Sequence, residues 1–168
     1  MAGQVIEIAN KQFTFLRDSH AVISTVEGDA RLSLEQEHAA PYDVIVLDAF
    51  SGDAIPIHLL TREAISLYRE HLKPGGVLAF HLSNQYLDLS PFVKQLTDEV
   101  GYQSVLVNNH ASEKDNVYAS SWLLATQDER ILNNPAIRRD AAPIRSRVGH
   151  RPWTDDSNNL FVALKLTK

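Results

Sequence analysis

At 168 residues, 44% of them hydrophobic, the chain is long enough to bury one core of ordinary size, and a single domain spanning 1–168 is expected. The absence of cysteine excludes both a disulfide framework and a thiolate metal site. A formal net charge of −5 argues against a nucleic-acid surface, and no apolar run approaches the roughly 20 residues that cross a bilayer. With no charged-then-apolar leader at its start, the chain reads as soluble and cytoplasmic, with no membrane insertion.

In chain order, Val5, Ile8, Ala9, Phe13 and Leu16 fall at helical spacing and predict a helix over 5–16. Ala21 to Val26 reads as a short strand closed by Gly28-Asp29, and 31–37 reads as a helix that Pro41 separates from the next element. Val44, Ile45, Val46 and Leu47 form a continuous aliphatic run, expected to be a central strand buried on both faces. Thr61 caps a helix that runs to about His71, with Glu63 in its first turn. Lys73-Pro-Gly-Gly76 stops that helix before a buried strand over 77–82. A helix over 92–100 ends at Gly101, and the last two strands, 104–107 and 121–125, are joined by a polar stretch suited to an antiparallel connection. This alternation predicts an α/β fold with a mostly parallel sheet, flanking helices and an antiparallel last strand. The strands at 43–48 and 77–82 are expected to be parallel neighbours.

The run from Tyr42 to Pro56 carries the chemistry, because an apolar strand delivers Asp48 and then Asp53 into the loop at its C-terminal end. Open α/β sheets keep their ligands at that end. On spacing alone, Asp48 reads equally as a turn former or cap and as a functional carboxylate. The histidines His58, His71, His81 and His110 are scattered singly with no metal-ligand spacing, and they read as structural; no metal is expected. The chain has seven glycines, but none forms a Gly-x-Gly-x-x-Gly turn after an early strand.

The succession Phe13-Thr-Phe-Leu-Arg-Asp18, Gly28-Asp-Ala-Arg31, Asp43 to Pro56, Leu59-Leu-Thr-Arg-Glu63, Lys73 to Leu78, Tyr118 to Trp122 and Trp153-Thr-Asp-Asp156 resembles the spermidine synthases, the polyamine aminopropyltransferases. These have a class I S-adenosylmethionine-dependent transferase fold of Rossmann type. The resemblance is to the C-terminal two thirds of such a domain, especially in the divergent bacterial branch often fused to membrane helices. It implies an incomplete Rossmann-like sheet, because the family's Gly-rich turn, ribose-binding acid and N-terminal β-hairpin domain precede the residue that is here Met1. A fragment, or a domain completed by another chain, is the corresponding expectation.

By resemblance, Gly28, Asp29 and Ala30 lie at the adenine of the nucleoside, with the Asp29 carboxylate accepting from its exocyclic amine. Asp48 corresponds to the family's catalytic Asp, Asp53 helps to hold the diamine, and Tyr118 touches the amine substrate. Asp48 and Asp53 are separated by four residues where the family's pair is separated by two. The implied co-substrate is decarboxylated S-adenosylmethionine and the implied acceptor a small diamine such as putrescine, with a homo-oligomer among the expected assemblies. A methyltransferase using S-adenosylmethionine itself, and a non-catalytic remnant or interaction module, stand as the other two readings. Two carboxylates near the acceptor suit a dication and favour the first.

Overall fold

The computed structural model describes residues 2–38, 40–50, 55–144 and 151–165. They divide into two compact units, 1–39 and 40–168. In the first, helix α1 (Ala2–Gln12) ends earlier than its periodicity predicts, and Phe13 and Phe15 follow it with their rings 6.0 Å apart. Helix α2 (Ala30–Glu35) starts at Asp29, whose Oδ1 accepts from the N–H groups of Arg31 and Leu32 at 3.0 Å each. The expected strand at 21–26 is not formed. An isolated extended segment has no neighbour to satisfy its ladder of N–H and C=O groups, and Val22 and Val26 point into solvent.

The second unit is built on a five-stranded sheet flanked by helices. In chain order it contains β1 (Tyr42–Leu47), a 3₁₀ turn (Ile57–Leu59), α3 (Arg62–Glu70), β2 (Leu72–His81), α4 (Ser90–Glu99), β3 (Gln103–Asn109), β4 (Ser120–Thr126), α5 (Glu129–Leu132), α6 (Pro135–Arg139), β5 (Ala141–Ala142) and a second 3₁₀ turn (Leu160–Ala163). The strand order is β1-β2-β4-β3-β5. β1 and β2 are parallel neighbours, as their matching apolar runs predict, and β4 runs antiparallel to both β2 and β3. β5 adds a short antiparallel edge. The α/β class, the flanking helices and the antiparallel final hairpin follow the sequence reading, while the sheet is mixed and not mostly parallel: β1–β2 is its one parallel pair among the described strands.

The two faces of the sheet differ. Leu78, Phe80, Leu123 and Ala125 form one fully buried row, which α3 and α4 cover with Ile65, Val93 and Leu96. On the opposite face Val44 and Val46 are 51% and 55% exposed. Among the described residues β1 is therefore an edge strand with one open face, not the doubly buried central strand expected. A run of four aliphatic residues fits both positions, and only pairing distinguishes them.

Lys73-Pro-Gly-Gly76 is part of β2 and does not terminate α3, which ends one residue before its cap at His71. Between the pairs Tyr42↔Leu72 and Val44↔Val77 the register shifts, so these four residues bulge from the ladder. Gly75 takes φ +77°, and its carbonyl accepts from Thr126 Oγ1 at 3.2 Å. A side chain at Gly76 would be crowded: its Cβ would stand 3.0 Å from Leu72 Cδ2, 3.0 Å from Lys73 O and 3.1 Å from Asp43 O. Since two of these three atoms are backbone, Gly76→Ala is expected to destabilise the fold by about 1–3 kcal/mol in urea unfolding.

The segment from Trp153 closes over the start of α3. Trp153 is buried and stacks on Phe92 with ring centroids 4.5 Å apart, and its carbonyl accepts from Arg62 N–H at 2.8 Å. Thr61 Oγ1 donates to Asp155 Oδ1 at 2.7 Å and accepts from Ala64 N–H, while Asp155 N–H donates to Glu63 Oε2. One fully buried hydroxyl thus caps the helix and anchors the late segment. Thr61→Val should cost about 1–2 kcal/mol, read as a lower urea midpoint. No helix among the described residues is long and apolar enough to cross a membrane.

Candidate active site at the sheet's C-terminal end

The parallel register fixes the site. Leu47 pairs with Phe80, so the next residue on each strand, Asp48 and His81, emerge side by side on the same face. His81 in turn pairs with Trp122 on β4. Asp48, His81 and Trp122 form a row across the end of three adjacent strands.

His81 is held on every side. Its Nδ1 lies 2.7 Å from Asp48 Oδ1 and its Nε2 lies 2.8 Å from Ser83 Oγ. The ring stacks on Trp122 at 4.5 Å with 6° between the planes, and Phe50 meets it edge-on at 5.0 Å. An ionised carboxylate only accepts, so Nδ1 carries the proton toward Asp48. In the neutral ring Nε2 then accepts from the Ser83 hydroxyl, whose oxygen accepts from Ser121 N–H at 2.9 Å. Each donor in this chain has an acceptor. Asp48 keeps 53% of its side chain exposed, while His81 is reduced to 21%.

Ser83 also opens onto a cleft of about 550 Å³ lined by Asn84, Asn108, His110 and Ser121 among others. Its walls offer hydroxyl and amide groups. Asn84 Oδ1 accepts from the N–H groups of Tyr86 and Leu87, and Asn108 Oδ1 accepts from Ser121 Oγ–H at 2.7 Å. Among the described residues, no cluster of three or more His, Asp or Glu side chains could hold a metal ion.

The residues singled out in the sequence meet different fates. Asp48 stands at the sheet's C-terminal end. Asp53 lies outside the described residues. Tyr118 sits just before β4 with 90% of its surface exposed, and its carbonyl accepts from Asn109 Nδ2 at 3.3 Å. In the first unit, Gly28 and Ala30 line a shallow depression of about 400 Å³ with Val26 and Leu34, and Asp29 Oδ1 is engaged as the α2 cap. Among the described residues His81, read as structural from sequence, is the one histidine that contacts Asp48, and Ser83 carried no signal at all. A signal for His81 existed: Val44 to Leu47 and Val77 to Phe80 are apolar runs of the same length, each followed by a titratable residue, so parallel pairing aligns the two.

No protein-family model matches the chain. Over 76 residues, 44% of its length, it is 38% identical to a polyamine aminopropyltransferase of Vibrio vulnificus, and over 80 residues it is 32% identical to a "Probable polyamine aminopropyl transferase" of Bifidobacterium longum. These alignments span only 25% and 17% of the two relatives. A probable spermidine synthase from Corynebacterium glutamicum superposes on 89% of the chain with a TM-score of 0.53 at 17% identity, and 61% of that protein is covered. In sequence the chain is similar to part of the polyamine aminopropyltransferases, and its fold is that of the spermidine synthases.

Proposed function

We propose that the chain carries the acceptor side of an aminopropyl-transfer site, with Asp48 as the group that takes the proton of the attacking amine. The observation that carries this reading is the half-exposed Asp48 carboxylate at the end of β1, with one oxygen fixed by His81 and a polar cleft beginning at Ser83. An alkyl amine with a pKa near 10 is mostly protonated at neutral pH, and it becomes a nucleophile only after losing that proton. A fixed carboxylate attracts the cation and accepts the proton. The amine nitrogen then attacks the methylene beside the sulfonium of decarboxylated S-adenosylmethionine. The C–S electron pair leaves with sulfur, giving methylthioadenosine. The acceptor would be a small diamine such as putrescine, with Asp53 and Tyr118 as candidates for its far end.

On the donor side, Gly28, Asp29 and Ala30 are candidates for the adenine. No Gly-x-Gly-x-x-Gly turn exists among the 168 residues to bring backbone amides against the rest of the nucleoside. Losing two or three hydrogen bonds costs about 3–6 kcal/mol, enough to turn a micromolar site into a millimolar one. Calorimetric titration of the chain with methylthioadenosine is therefore expected to give a millimolar dissociation constant. A micromolar value would mean that other residues complete the pocket.

With donor supplied at millimolar concentration, the expected products are spermidine and methylthioadenosine. Asp48→Asn should lower turnover by about 100-fold while leaving nucleoside affinity nearly unchanged. Equal turnover of the variant and the parent refutes the role of Asp48. Formation of S-adenosylhomocysteine from S-adenosylmethionine, with no aminopropyl transfer, would establish methyl transfer instead.

A further inference from the structure

The geometry points to His81 as a positioning residue that fixes which oxygen of Asp48 faces an incoming amine, an inference that rests on the acceptor-site reading above. An unrestrained aspartate at the end of a strand rotates freely about its last bond and presents its two oxygens equally. Here Oδ1 is tied to His81 Nδ1 at 2.7 Å, while Oδ2 has no hydrogen bond among the described residues. The clamp works only if the imidazole itself cannot turn. Trp122 stacked on one face, Phe50 against it edge-on, and Ser83 at Nε2 supply that restraint, and Ser83 is anchored in turn by Ser121 N–H.

The arrangement has a chemical consequence beyond orientation. With Nδ1–H committed to Asp48, Nε2 must be the lone-pair nitrogen of the neutral ring, so the tautomer is set by the same contact that aims the carboxylate. A positive charge arriving at Oδ2 alters the hydrogen bond at Oδ1 and reaches the ring. His81 therefore reports on occupancy of the acceptor site through Asp48, and Ser83 carries the link to the wall of the cleft.

The test is ¹H–¹⁵N correlation spectroscopy of the histidine rings in the full chain at neutral pH, with putrescine as the probe. The parent is expected to show His81 as the Nδ1–H tautomer with a strongly deshielded Nδ1 proton. Asp48→Asn should move that proton upfield into the ordinary imidazole range, and Ser83→Ala should shift Nε2 while leaving the Nδ1 proton in place. Putrescine should perturb both ring nitrogens in the parent and neither in Asp48→Asn. An Nε2–H tautomer in the parent overturns the inference, and the parent spectrum alone decides this even if a variant fails to fold. So does an Nδ1 proton that is indifferent to Asp48→Asn. A deshielded Nδ1 proton that answers to Asp48→Asn but not to putrescine upholds His81 as the clamp and removes the diamine from the proposed function.

Discussion

The pairing of β1 with β2 in one particular register is the constraint on which the rest depends. Each step along a strand reverses the face on which side chains stand. A slip of one residue would leave Leu47 beside His81 and turn Asp48 to the covered face. The observed register is enforced from below, where Gly76 lets the bulge pass within van der Waals reach of Asp43 O and Thr126 ties down the carbonyl of Gly75. Buried contacts of Leu47 and Phe80 enforce it from above. A glycine within β2 and a carboxylate just past β1 are thus tied to one alignment.

Much of this was legible in the chain because it depends on local chemistry. The cap at Thr61, the stop at Gly101, where φ is +78°, and the parallel pairing of two four-residue apolar runs each have a signature within a few positions. Asp48 was legible for the same reason. The partnership with His81 has no local signature, since 33 positions separate the two, and it is legible only once the two apolar runs are aligned in parallel register. Burial of β1 was misread because hydrophobic composition describes what a strand tolerates and is silent on how many neighbours it has. The segment 21–26 failed for the converse reason: strand propensity without a pairing partner does not make a strand.

The Trp153 block shows how a motif carries resemblance without touching the site. Its tryptophan fills a slot against Phe92, and its aspartate receives the Thr61 hydroxyl. The Thr61 contact holds the start of α3, the helix that covers the buried face beneath the β1–β2 pair, and the Phe92 contact packs the same segment against α4.

The open face of β1 gives the protein a social property as well as a chemical one. Val44 and Val46 stand exposed beside a strand that pairs, among the described residues, with β2 alone. Such an edge is a template for any extended chain that can supply backbone partners and apolar side chains, and unguarded edges of this kind drive aggregation. That edge is the strand that carries Asp48, so an extended chain pairing there would lie alongside this carboxylate. A charged side chain at Val44 or Val46 would oppose such pairing.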